Sequence, residues 1–84
     1  MITMDIADLK LTRRELEIWR LIAEGYAIKE IARFLFKSPK TVDWQRSSLY
    51  RKLRVTNQSQ ATRLAVARGV VPSEWAPVGA EVVA

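Results

Sequence analysis

The side chains able to do chemistry in this chain are nearly all charged, and they are unevenly spread. Between Lys37 and Arg68 stand eight basic residues (Lys37, Lys40, Arg46, Arg51, Lys52, Arg54, Arg63 and Arg68), opposed by Asp43 alone. That stretch carries +7 and the remainder −2, which makes up the net +5 of the whole chain. A basic half beside a mildly acidic half is the pattern of a polyanion-binding surface. A basic surface that serves only solubility has the same charge, so charge alone does not separate the two. There is no Cys and no His, which excludes disulfides, thiolate chemistry, the common zinc ligands and a Ser-His-Asp arrangement. Glu15 and Glu17 invite an acid–base reading, but Glu15 fits a helix cap and no pocket motif surrounds the pair. The expectation is a protein that is not an enzyme and has no cofactor or metal.

The elements that must position these charges read as helices. Eighty-four residues make at most one domain, with a core small enough that a dimer partner would help it. No apolar run approaches the length that spans a bilayer and no signal-peptide pattern opens the chain, so a cytoplasmic protein with no membrane contact is expected. Thr12 followed by Glu15 completes a capping box, Ile18, Leu21 and Ile22 follow helical spacing, and Gly25 suits a left-handed stop. The first helix is thus expected over about Arg13 to Glu24. Ile28, Ile31, Ala32 and Leu35 share one face of a second, two-turn helix, whose start is weakly marked because Ala27 stands where Ser or Thr would cap.

Ser38 then supplies a capping oxygen and Pro39 fits the first helical position, opening a third helix over about Pro39 to Leu53. Its inward stripe is Val42, Leu49 and Leu53, with Arg46 on the same broad stripe and Gln45 flanking it. Its outward face carries Lys40, Asp43, Trp44, Ser47, Arg51 and Lys52. The polar run 56–59 precedes a fourth, small-residue-rich helix over about Gln60 to Arg68, ended by Gly69. These signals predict an all-α fold, a four-helix orthogonal bundle. Helices two and three, separated by Phe36, Lys37 and the cap Ser38, form a helix-turn-helix.

At this point the chain resembles a known family. Leu11-Thr12-x-Arg14-Glu15-x-Glu17-Ile18, Leu21-Ile22-Ala23-x-Gly25 and Lys29-Glu30-Ile31-Ala32-x-x-Leu35 are similar to the DNA-binding domain of the LuxR/FixJ family. So are Ser38-Pro39-Lys40-Thr41-Val42, Arg51-Lys52-Leu53-x-Val55, and Ala61 with Ala65. The likeness runs from Leu11 to Gly69 and includes the GerE-like, stand-alone form. It implies four helices, with the fourth carrying a dimer contact. The chain departs from the family pattern at Ala27 and Ile28, where a polar pair is usual, and at Lys37, where the usual residue is apolar. Gln45 replaces a common His, Arg46 a frequently apolar residue, Arg54 a common Gly and Gln58 a common Arg. The changes on the exposed face alter which DNA sequence is read, so the family does not supply the operator.

Combined with the resemblance, the residues yield a candidate site, although Asp43 balancing local basic charge and Trp44 filling a surface groove is the alternative reading. Asp43, Trp44 and Ser47 match positions at which family members touch bases. A carboxylate accepts from a cytosine amino group and an indole packs against a thymine methyl. Lys29, Lys40, Thr41, Gln45, Arg51 and Lys52 are the candidates for phosphate contacts, which position without reading sequence; a solvated basic face is the other reading of these charges. Ala61 and Ala65 are expected to pack inward, and Thr62, Leu64 and Arg68 are the candidates for the dimer face.

The expected function is that of a transcription regulator. It binds double-stranded DNA as a homodimer, docking its third helix in the major grooves of an imperfect palindrome. The expected domains are an arm at residues 1–10, the DNA-binding domain at 11–71 and a tail at 72–84, with no room for a receiver or ligand-binding domain. Two other readings stay open: a sigma region-four-like module that contacts promoter DNA and RNA polymerase, and a protein–protein adaptor that keeps the fold. Val70 and Val71 are expected to continue the core. Trp75 is expected to dock on the domain or its partner, with residues 79–84 mobile.

Overall fold

A computed structural model describes residues 9–71, which form four helices and no strand: α1 (Arg13–Ala23), α2 (Ile28–Leu35), α3 (Pro39–Leu53) and α4 (Gln58–Ala67). The expected arm, apart from Leu9 and Lys10, and the expected tail, including the docking of Trp75, lie outside the described residues.

Each helix begins where its capping chemistry dictates. Thr12 Oγ1 accepts from the Glu15 amide at 3.0 Å while Glu15 Oε1 accepts from the Thr12 amide at 2.9 Å, so α1 has the full capping box. Ala27 has no side-chain oxygen to offer α2, and only the reverse arm forms: its amide donates to Glu30 Oε1 at 2.8 Å. Ser38 Oγ accepts from the Thr41 amide at 3.1 Å, with Pro39 at the first helical position of α3.

The fourth helix starts two residues earlier than its apolar spacing indicates. Asn57 Oδ1 accepts from the Gln60 amide at 2.9 Å, and Gln60 Oε1 accepts from the Thr56 amide at 2.8 Å. The Asn-x-x-Gln pattern is itself a start signal, and the polar run 56–59 conceals it.

Helix ends are less uniform. Gly25 and Gly69 close α1 and α4 with φ of +100° and +75°. By contrast, α2 and α3 close on Phe36 and Arg54, with φ of 57° and 60°. These are left-handed positions that favour glycine.

The helix α1 is the hub, packing against the other three, while α2 also packs on α3. Ile18, Trp19, Ile31, Val42 and Leu49 are fully buried at the centre, joined by Ala61 and Ala65. The indole N–H of Trp19 donates to the Ala61 carbonyl at 2.8 Å, a buried bond that joins α1 to α4 across 42 residues. Small Ala side chains at 61 and 65 admit that close approach. Val71 is buried and Val70 packs beside the core, as the family resemblance implies.

Candidate nucleic-acid interface

A solvent-facing surface with a defined chemistry is built on α3. Lys40, Asp43, Trp44, Ser47, Arg51 and Lys52 are all exposed, because Val42, Leu49 and Leu53 on the opposite stripe anchor the helix in the core. Trp44 retains 72% of its surface in solvent. That leaves most of the indole open to a partner molecule. Ser38, Lys40, Thr41, Asp43, Trp44 and Ser47 line one shallow concavity, so the three expected base-reading residues come together with two expected phosphate contacts. Ser38 Oγ donates to Thr41 Oγ1 at 2.9 Å, which orients the Thr41 hydroxyl at the helix start. Lys29, on the first turn of α2, is likewise exposed.

Four of the expected roles change when the side chains are seen. Lys52 Nζ lies 2.8 Å from Glu15 Oε1 and donates to the Lys10 carbonyl at 3.2 Å, so its ammonium is held within the domain rather than offered to a phosphate. Gln45 is half-buried and its Oε1 is enclosed with no donor, which leaves a phosphate only its amide nitrogen. Thr62 is 3% exposed and packs inside the domain, so it does not belong on an open dimer face. Arg46 does not join the apolar stripe. It pairs with the Asp43 carboxylate one turn earlier, and its guanidinium carbon sits 5.7 Å from the centre of the Tyr50 ring.

Of the expected dimer residues, Leu64 and Arg68 are half-buried on α4 and at its C-terminal cap.

The electrostatics follow from these contacts. Burial pushes the Glu15 carboxyl upward. The hydrogen bond and charge of Lys52, the Thr12 amide and the Ser48 hydroxyl outweigh it and hold the group below its ordinary range. Burial raises the Tyr50 phenol, against the opposing effect of Arg46. A second depression beside the first is lined by Arg46, Ser47, Tyr50, Arg51 and the 55–58 segment that starts α4. No group of metal-ligating side chains occurs among the described residues, and no helix among them is long and apolar enough to cross a membrane.

A helix pair joined by a three-residue turn, with an exposed, basic and aromatic second helix, defines a helix-turn-helix DNA-binding domain. Residues 9–65 match the family described as bacterial regulatory proteins, luxR family, and the chain belongs to that family. It is 44% identical over 64 residues to the uncharacterized response regulatory protein YgeK of Escherichia coli, covering 76% of this chain and 44% of that protein. It is 45% identical over 53 residues to the transcriptional regulatory protein UhpA of Escherichia coli, covering 63% of this chain and 27% of that protein. The oxygen regulatory protein NreC of Staphylococcus carnosus is 43% identical over 56 residues, covering 67% of this chain and 26% of that protein. The matched region is thus less than half the length of these relatives. No solved structure matches the chain. The family is one of regulators, not enzymes.

Proposed function

We propose that the chain is a sequence-specific transcription regulator that acts in the cytoplasm by laying α3 in the major groove of double-stranded DNA. The observation that carries this reading is the open face of α3, where Trp44 stands exposed between Asp43 and Ser47 and beside Lys40. A groove-docked helix presents side chains from its N-terminal half to base edges. Asp43, Trp44 and Ser47 occupy the first three turns of α3. They read bases in this account: Asp43 accepts from an amino group and Trp44 packs on a thymine methyl. Lys29, Lys40, Thr41 and Arg51 contact phosphates and fix the register without reading it. Gln45 contributes through its amide nitrogen alone, and Lys52 acts indirectly by fixing α3 to α1.

The regulator works as a two-fold dimer on an imperfect palindrome, joined through the Leu64 and Arg68 side of α4. Support for this comes from the small core, which a partner would stabilise, and from the half-buried state of Leu64 at the surface. Selection of bound sequences from a random DNA pool tests the reading. A motif of two related half-sites about one helical turn apart is expected. An asymmetric motif with a monomeric complex would remove the dimer, and recovery of no motif would remove sequence-specific binding.

A further inference from the structure

Asp43 poses a problem for any DNA-facing surface. Its carboxylate accepts but does not donate, and it would enter a groove flanked by two rows of phosphates. The only major-groove partners for such a group are the amino groups of cytosine and adenine. An unpaired carboxylate, free to rotate, would be repelled at most positions and poorly aimed at the rest.

The structure holds a device that answers both difficulties. Arg46 Nη2 donates to Asp43 Oδ1 on the same helix face. The second oxygen, Oδ2, takes no bond from a described residue. Arg46 is itself restrained, because its guanidinium lies over the half-buried Tyr50 ring at 5.7 Å. Residues 43, 46 and 50 are spaced three and seven apart and so form one stripe along α3. Ser47 Oγ donates to the Asp43 backbone carbonyl at 3.2 Å, which leaves the carboxylate to Arg46. A planar guanidinium suits this role because its fork fixes the partner's plane as well as its charge.

We infer that Arg46 is a positioning residue for sequence readout. It neutralises Asp43 through Oδ1 and aims Oδ2 at a cytosine amino group, while Tyr50 keeps the guanidinium from swinging to a phosphate. The inference rests on the proposed docking of α3, and it makes base preference at one position depend on a residue that touches no base.

The test is random-pool selection with the full chain, Asp43→Asn, Arg46→Gln and Arg46→Lys, each with its melting temperature and the salt dependence of its binding. Arg46→Gln should melt like the parent and keep the motif, but lose preference by about tenfold at the position that Asp43→Asn relaxes. Arg46→Lys keeps the charge without the fork, so it should fall between the two and carries the test if the Gln variant folds poorly. A preference at that position left intact by Arg46→Gln, or lost at a different position instead, overturns the inference. So does a uniform loss of affinity with the salt slope flattened by about one unit, which marks a phosphate contact. If the parent chain selects no motif, the docking of α3 fails first and the inference with it.

Discussion

Lys52 Nζ sits 2.8 Å from Glu15 Oε1, joining the last turn of α3 to the first turn of α1 across 37 residues. Ser48 Oγ donates to the other carboxylate oxygen at 3.2 Å. Glu15 therefore caps its own helix and receives two side chains from α3, so it ties α3 to α1. Lys52→Ala should destabilise the fold by about 1–3 kcal/mol, because it leaves a buried carboxylate under-satisfied. The slope of DNA affinity against salt should barely move. Thermal melting and a salt titration on the same variant separate these effects. An unchanged melting temperature with a flattened slope would return Lys52 to the phosphate contacts.

The same cluster sets an acid limit. Because the Glu15 carboxyl is held below its ordinary value of 4.5 in the fold, its contribution is fully present above that value and is lost as pH falls through the lowered one. Stability should therefore drop as pH falls below that ordinary value, and Glu15→Gln should flatten that limb while lowering stability at neutral pH by about 1–2 kcal/mol. Denaturant melts at pH 7, 5 and 3.5 check this. Equal pH dependence in both proteins would assign the acid limb to other carboxylates.

Much of this architecture is legible in the sequence because it is local. The Thr12 and Ser38 caps, Pro39, the apolar stripes and the open face of α3 all follow from spacing within a turn or two. What the sequence conceals is non-local or masked by polarity. Lys52 looks like every other exposed lysine until Glu15 is placed beside it. Thr62 looks like a surface residue, yet it is buried like its neighbours Ala61 and Ala65 on α4. The Trp19–Ala61 bond joins residues 42 apart, and no periodicity records it. Arg46 occupies a frequently apolar position of the family pattern, and its pairing with Asp43 shows that it has turned from the core toward the open face of α3.

The left-handed ends of α2 and α3 offer a stabilising change. Arg54 adopts φ of 60°, at a position where the family commonly has Gly. A non-glycine residue there costs about 1–2 kcal/mol, partly offset by the entropy that glycine adds to the unfolded chain. Arg54→Gly should raise stability by about 0.5–1 kcal/mol, seen as a rise of several degrees in melting temperature. A lower melting temperature would mean that the Arg54 side chain contributes more than its backbone costs.

Trp44→Ala separates reading from folding. With 72% of its surface exposed, Trp44 contributes little to the core, so melting should stay within a degree or two. Discrimination among operator variants should fall by about 1–3 kcal/mol at a single position. A variant that melts many degrees lower and keeps its preferences would mark Trp44 as structural.

The most direct test of the central claim is the affinity of the parent chain for its selected DNA, measured from low to moderate salt. In the proposed docking the exposed Lys29, Lys40 and Arg51 neutralise three phosphates, so log affinity should fall against log salt with a slope of about −2.5 or steeper per chain. Lys40→Ala should flatten that slope by about one unit while weakening binding to all sequences alike. Affinity that does not change with salt would contradict the claim that this surface binds DNA.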